Sequence, residues 1–460
     1  MTLETVAGQP AHGSARPLLI VVLAAGKGTR MKSARPKVLN EVAGRSMMGH
    51  VLALAECVKA DKLAVVIGPG MDAVRAEAMR LAPAAAVYVQ DKQNGTADAV
   101  LAARERIIGH AGDCLVLYAD TPLIQAETIF KLRGALADGT GIAVLGFHAA
   151  DPTGYGRLLT DNSGNLTAIR EEKDASAQER AITLCNSGVM AFGPGDTVGV
   201  LGRIGNANAK GEYYLTDAVE IARKDGARTA VVVCPETEVL GVNARDQLAV
   251  AEKLYQERAR SRAMADGATL IAPETVWFSF DTRIGRDVVI EPNVFFGPGV
   301  TIGDNVAIRA NCHIEGASIA AGSRIGPFAR LRPGANLGEN VQIGNFVEVK
   351  NVAMAAGSKA NHLAYLGDGT VGRDANIGAG TIFCNYDGFK KHRTEVGDGA
   401  FVGSNASLVA PVKIGTGAFV GSGSVITKDV SVDALAIERS AQEERPGWAA
   451  KFRVMMGRRK

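Results

Sequence analysis

Three short segments of this chain carry side chains that could do chemistry, and each points to a different kind. Ala24-Ala25-Gly26-Lys27-Gly28-Thr29-Arg30-Met31 follows directly on an apolar run at 18–23. Small residues there let backbone N–H groups approach phosphate oxygens, and Lys27 and Arg30 add positive charge. Neither common nucleotide fingerprint fits, since G-x-G-x-x-G lacks its third glycine and G-x-x-x-x-G-K-[ST] is absent. The loop alone therefore leaves both phosphate binding and an ordinary turn open. Asp120 stands in Tyr118-Ala119-Asp120-Thr121-Pro122-Leu123, at the end of another apolar run. Its carboxylate is a hard oxygen ligand of the kind Mg²⁺ takes, and equally an Asx cap for the Thr121-Pro122 turn. His362 lies in Lys359-Ala360-Asn361-His362-Leu363-Ala364-Tyr365-Leu366-Gly367-Asp368. An imidazole titrates near neutrality and can act as a general base, although a lone histidine is more often structural or solvated.

The elements that must hold these segments differ between the two halves. Before residue 245, apolar runs at 18–23, 63–67, 86–89, 114–118, 142–147 and 230–233 are short, rich in β-branched residues and separated by helical lengths. That alternation predicts an α/β domain with a mostly parallel, doubly wound sheet, whose ligands bind beyond the carboxyl ends of the strands. Residues 246–266 are rich in Ala, Glu and Arg and free of Gly and Pro, which predicts one connecting helix ended by Gly267. From Ile284 to Ile426 an aliphatic or aromatic residue recurs every six positions, often followed by glycine, as in Ile302-Gly303, Ile325-Gly326 and Ile414-Gly415. A period of six fits neither a helix nor an isolated strand; it predicts a left-handed parallel β-helix of hexapeptides, about 18 residues to the triangular coil. The rhythm breaks around His362 and again at Phe383-Cys384-Asn385-Tyr386-Asp387-Gly388-Phe389-Lys390-Lys391. In a solenoid the regular positions make core, so function is expected in the breaks. The expected organisation is a disordered leader over 1–17, a first domain over 18–245, a linker helix over 246–266 and the β-helix with its tail over 267–460.

A chain of 460 residues is too long for one core. A net charge of +3 is too small to make nucleic acid or a membrane surface the main partner, and no run reaches the ~18 apolar residues of a membrane span. The one basic cluster, 451–460, reads as a solvated end. The first seventeen residues lack an apolar stretch and do not resemble a secretory signal. Six scattered cysteines without a C-x-x-C pair favour reduced thiols in a cytoplasm over disulfides or zinc.

The continuation of the first loop narrows the choice. Arg30-Met31 followed by Pro36-Lys37-Val38-Leu39 resembles the signature of sugar-phosphate nucleotidylyltransferases. Gln90, Gly95-Thr96-Ala97, the Asp120 segment, Gly154-Tyr155-Gly156-Arg157, Glu171, Asn186-Ser187-Gly188 and Gly241-Val242-Asn243 follow in order. With the hexapeptides, the set resembles the bacterial bifunctional N-acetylglucosamine-1-phosphate uridylyltransferase / glucosamine-1-phosphate N-acetyltransferase family, from Leu18 to about Trp448. The resemblance implies two reactions that together make UDP-N-acetylglucosamine for peptidoglycan and lipopolysaccharide. Acetyl-CoA acetylates glucosamine-1-phosphate, and the product then attacks UTP with Mg²⁺ present. It implies UTP and UDP-N-acetylglucosamine contacts from Leu23, Ala24, Ala25, Gly26, Lys37, Gln90, Gly95, Thr96 and Asn243. It gives the sugar to Gly156, Glu171 and Asn186, charge balance to Arg30 and Lys37, and the metal to Asp120 and Asn243. Alanine at 119, where the family usually has glycine, is a small change.

For the second reaction the resemblance makes His362 the base, assisted by Glu348. Arg332, Lys350 and Tyr365 would clamp the sugar phosphate and Asn376 would contact the sugar. Ala379, Asn385, Tyr386, Ser404, Ser422 and Arg439 would hold acetyl-CoA, although the family often has alanine at 422. The second break would reach a neighbouring subunit of a cytoplasmic homotrimer. Other β-helix enzymes fit less well: a zinc site of three histidines needs a close pair, which His313, His362 and His392 do not form. ADP-glucose-type enzymes lack the His362 and Asn385-Tyr386 segments. Non-catalytic exchange-factor subunits join the same folds, and the joint presence of Lys37, Asp120, Asn243 and His362 argues against them.

Overall fold

The apolar run at 18–23 forms the strand Leu18–Ala24, every residue of which is buried. It is apolar throughout because it lies mid-sheet with both faces covered. It pairs in parallel with Lys62–Ile67 on one side and Asp113–Tyr118 on the other. Alternation sends Leu18, Ile20 and Val22 into one core and Leu19, Val21 and Leu23 into a second on the opposite face. In this computed structural model, which describes residues 16–457, the sheet runs Thr229–Val233, Ile142–His148, Leu184–Phe192, Asp113–Tyr118, Leu18–Ala24, Lys62–Ile67, Ala86–Val89. All six expected strands are present. Leu184–Phe192 was not expected and runs antiparallel to both neighbours. Its register shifts between Asn186 and Met190, where Asn186-Ser187-Gly188 breaks the apolar run.

The chain divides into two compact units, one ending at Ala259 and the other beginning at Arg260. The helix expected at 246–266 is Arg245–Ala265, and Gly267 follows with φ 104°. Almost all of the 1–17 leader lies outside the described residues, as do the last three residues of the tail. Residues Trp448–Gly457 form an exposed helix. No described helix is long and apolar enough to cross a membrane, and among the described residues no cysteine is joined in a disulfide.

The second unit is the hexapeptide β-helix. Strands of two or three residues stack in parallel, as Val289–Ile290 on Ala307–Ile308 on Arg324–Ile325. Ile290, Ile308, Ile325 and Ile343 fill the interior. Asparagines and aspartates take positive φ at many turns, among them Asn293, Asn305, Asn340 and Asp374. Their short polar side chains make the left-handed region less costly than it is for other residues.

Candidate active sites

The first site forms where three chain segments meet beyond the strand ends. The phosphate-type loop leaves Leu18–Ala24 and turns through Gly28 at φ 63° into the short helix Thr29–Met31. Glycine is required at 28, because a Cβ there would overlap the Cβ of Lys37. Lys37 is buried and its Nζ donates to Asp120 Oδ2 at 2.5 Å and to Asn243 Oδ1 at 2.9 Å. The backbone holds the two oxygen donors together, since Val242 N–H donates to the Asp120 carbonyl at 2.9 Å. Arg245 braces the lysine segment by donating to Asn40 Oδ1 at 3.0 Å, and Asn40 in turn donates to the Lys37 carbonyl at 2.9 Å. The turn after Asp120 is closed by Thr121, whose hydroxyl donates to the Tyr118 carbonyl at 2.8 Å. The Asp120 carboxylate is turned to Lys37 instead of capping that turn.

These oxygens fit a divalent cation. A carboxylate and an amide carbonyl are hard donors, and both already converge on one positive charge, the Lys37 ammonium. Among the described residues no cluster of three His, Cys, Asp or Glu side chains could hold a metal by itself. The site therefore suits an ion whose remaining ligands come from phosphate and water, as Mg²⁺ prefers.

Around this centre is an open cleft of about 270 Å³, lined by Leu23, Ala24, Ala25, Gly26, Lys37, Gln90, Gly95, Thr96 and Asp120 among others. Three lining residues had no sequence signal: Gln93, whose Nε2 pins the Ala25 carbonyl at 2.6 Å, Ala99 and Glu212. Tyr118 also lines it; burial first, then the charges of Asp120 and Glu171, push its phenol well above the ordinary value. Gly156, Glu171 and Asn186 come together nearby. Asn186 N–H donates to the Gly156 carbonyl at 2.8 Å, and a Cβ on Gly156 would lie 3.4 Å from Glu171 Oε1. Burial raises the Glu171 carboxyl above its usual value, partly offset by Lys210. Arg30 is exposed on the short helix and is not part of the cleft lining.

In the β-helix, strand register makes the second site. Gln342–Asn345 lies under Lys359–His362, so that Asn345 and His362 are partners. His362 Nδ1 lies 2.7 Å from Asn345 Oδ1. A carbonyl oxygen only accepts, so Nδ1 carries a proton, and in the neutral imidazole Nε2 is then the nitrogen with the lone pair. The coils approach closely because residue 344 is glycine; a Cβ there would overlap the Asn361 carbonyl. The resemblance implied that Glu348 assists His362; in the structure Glu348 accepts from Arg332 Nη1 at 2.8 Å. The reason is register: Glu348 pairs with Tyr365, three residues beyond His362.

Beside this pair, Arg332, Lys350, Tyr365 and Asn385 gather around two carboxylates, Glu348 and Asp368. Asp368 takes the Asn351 amide at 2.7 Å, the Asn385 amide at 2.5 Å and Lys350 Nζ at 3.5 Å. Burial pushes the Asp368 carboxyl up, but those hydrogen bonds and the charges of Lys350 and Lys391 outweigh it and hold it low. Asn376 stacks on Lys359 in an adjoining column, apart from this group.

One corner of the prism leads away from His362. Gly380 N–H donates to the His362 carbonyl, Asn405 N–H to Ala379, and Gly423 N–H to Ser404, while Arg439 donates to the Ser422 carbonyl. Ala379, Ser404, Ser422 and Arg439 thus form one ladder that starts at the histidine. Tyr386 and Phe389 are exposed on the second break, Phe389 at 92%. That break folds on Asp387, which accepts from Phe389 N, Lys390 N and His392 Nε2.

Comparison with known proteins matches residues 20–181 to the MobA-like NTP transferase domain. Residues 281–316 and 393–428 match the bacterial transferase hexapeptide. The chain is 60% identical over 447 residues to the "Bifunctional protein GlmU" of Azorhizobium caulinodans, covering 97% of this chain and 100% of that protein. The proteins of the same name from Xanthobacter autotrophicus and Agrobacterium fabrum are 58% and 53% identical, over 96% and 95% of this chain and 98% and 96% of theirs.

Proposed function

The chain belongs to the bifunctional GlmU family, and from that premise we propose which of its residues carry each half of the chemistry. It is an enzyme with two transferase activities, acetyl-CoA-dependent acetylation of glucosamine-1-phosphate and uridylyl transfer from UTP to N-acetylglucosamine-1-phosphate. Together they make UDP-N-acetylglucosamine, a precursor for cell-wall synthesis.

For uridylyl transfer, the carrying observation is the convergence of Lys37, Asp120 and Asn243 at the mouth of the cleft. Asp120 and Asn243 would hold Mg²⁺, which when bound neutralises charge on the triphosphate. Lys37 supplies a second positive charge at that point, and Arg30 a third from the exposed loop. Leu23 to Gly26 offer backbone to the phosphates, Gln90, Gly95 and Thr96 contact the base, and Gly156, Glu171 and Asn186 hold the amino sugar. The sugar-phosphate oxygen attacks the α-phosphorus and pyrophosphate leaves.

For acetyl transfer, Nε2 of His362 takes a proton from the substrate ammonium, the freed amine attacks the thioester carbonyl, and the coenzyme sulfur leaves as the thiol, taking up the second proton that the nitrogen sheds as the amide forms. Asn345 holds the tautomer this requires. Arg332, Lys350 and Tyr365 receive the sugar phosphate and Asn376 the sugar. Asn385 and Tyr386, with the ladder from Ala379 through Ser404 and Ser422 to Arg439, receive acetyl-CoA. A cytoplasmic homotrimer completes this reading, supported by the exposed Tyr386 and Phe389 on the second break. The domain limits follow: uridylyl transfer in 18–245, the linker in 246–266 and acetyl transfer in 267–460. The test is product analysis with glucosamine-1-phosphate, acetyl-CoA, UTP and Mg²⁺, each omitted in turn, together with sedimentation of the purified protein. Acetylation without UTP is expected, and so is uridylylation without acetyl-CoA when N-acetylglucosamine-1-phosphate is supplied; absence of either overturns that half.

A further inference from the structure

Gln90 is 5% exposed and stands at the wall of the nucleotide cleft. Both hydrogens of its amide are engaged internally, for Nε2 donates to the Gly95 carbonyl at 2.9 Å and to Asp98 Oδ2 at 2.8 Å. Oε1 is then the atom that Gln90 has left to offer a ligand. Turning the amide over would set Oε1 against the Gly95 carbonyl and the Asp98 carboxylate, three oxygens with no proton to share. A buried arrangement of that kind is costly, and the negative charge of Asp98 makes it more so than a neutral side chain would. Asp98 itself does not line the cleft; its Oδ2 also receives Asn94 N–H at 3.2 Å.

A wall that presents an acceptor suits a base edge that presents a donor. N3 of uracil carries a hydrogen, whereas N3 of cytosine carries a lone pair. We infer that Asp98 sets the choice of uridine over cytidine triphosphate by fixing the orientation of the Gln90 amide. This rests on the reading of Gln90 as a base contact given above. Asp98 is a positioning residue that acts through Gln90 without touching the nucleotide.

The test compares full-length wild type with Asp98→Asn and Asp98→Ala, using kcat/KM for UTP and for CTP with N-acetylglucosamine-1-phosphate. Equilibrium binding of the two nucleotides provides a second readout. Asparagine at 98 removes the charge and can turn its NH2 towards a turned-over Gln90, so that orientation is then opposed by the neutral Gly95 carbonyl and by loss of the Asn94 N–H acceptor instead of by a carboxylate. The UTP-to-CTP preference is expected to fall about tenfold or more in Asp98→Asn, the equivalent of one hydrogen bond, and in the same direction in Asp98→Ala. The KM for the sugar phosphate and the acetyl transfer rate stay unchanged. If Asp98 only supports the start of the helix Thr96–Ala102, thermal stability drops, both nucleotides lose rate together and the preference holds; that result overturns the inference. A wild type that uses no pyrimidine triphosphate overturns the uridylyltransferase reading itself.

Discussion

Removing the carboxylate at 120 tests the centre of the first site most directly. Lys37 and Asp120 side chains are 9% and 20% exposed, and their charges meet at 2.5 Å. In Asp120→Ala, Lys37 keeps only the Asn243 carbonyl at 2.9 Å, so a buried ammonium loses its counter-charge. Breaking one side of such a pair costs about 3–5 kcal/mol, and loss of a hard oxygen ligand takes a comparable share from transition-state stabilisation. At about 1.4 kcal/mol per decade, uridylyl transfer should fall by roughly two to four decades. The assay is Mg²⁺-dependent pyrophosphate release, with thiol release from acetyl-CoA measured on the same preparation. Acetyl transfer, proposed for the other unit, should be unchanged, which makes it an internal control for the amount of enzyme in the preparation. Lys37→Met combined with Asp120→Ala removes the stranded charge, so it should recover thermal stability without recovering uridylyl transfer. Equal loss of both activities would make Asp120 a folding residue. Near-normal uridylyl transfer by Asp120→Ala would remove it from the metal site.

His362→Ala should lower acetyl-transfer kcat by about 10²–10⁴-fold and leave uridylyl transfer intact. Asn345→Ala should cost about tenfold through the lost orienting hydrogen bond; a wild-type rate in that variant refutes the pairing. Because burial raises the Glu171 carboxyl, ionised Glu171 opposes folding. Stability from this group is full below its unfolded value of 4.5 and is lost as pH rises through the folded one. Glu171→Gln should therefore raise thermal stability at pH 7 and not at pH 4, while raising the KM for N-acetylglucosamine-1-phosphate; an equal effect at both pH values would contradict the burial argument. A chain ending near Ala265 should keep uridylyl transfer and lose acetylation, and a folded but inactive fragment would count against the domain division.

The architecture was legible in the sequence because its signals are local. Each hexapeptide places its apolar residue inward by its own period, as Ile302 and Ile325 do, and each buried parallel strand announces itself as a continuous apolar run. Leu184–Phe192 escaped that reading because the polar Asn186-Ser187-Gly188 bulge interrupts its pattern. The strand-end loop, Asp120 and His362 were visible by type and spacing, but not the partners that give them a role. Lys37 finds Asp120 and Asn243 across 83 and 206 residues, which only the closing of the sheet brings together. In the β-helix the deciding quantity is rung length. Phe295 stacks on His313, then His313 on Arg330, so one coil spans 18 residues and the next 17. A change of one residue alters which side chains face each other. That register placed Asn345 under His362 and committed Glu348 to Arg332, a choice no residue type or spacing could announce because it accumulates over every turn of the coil.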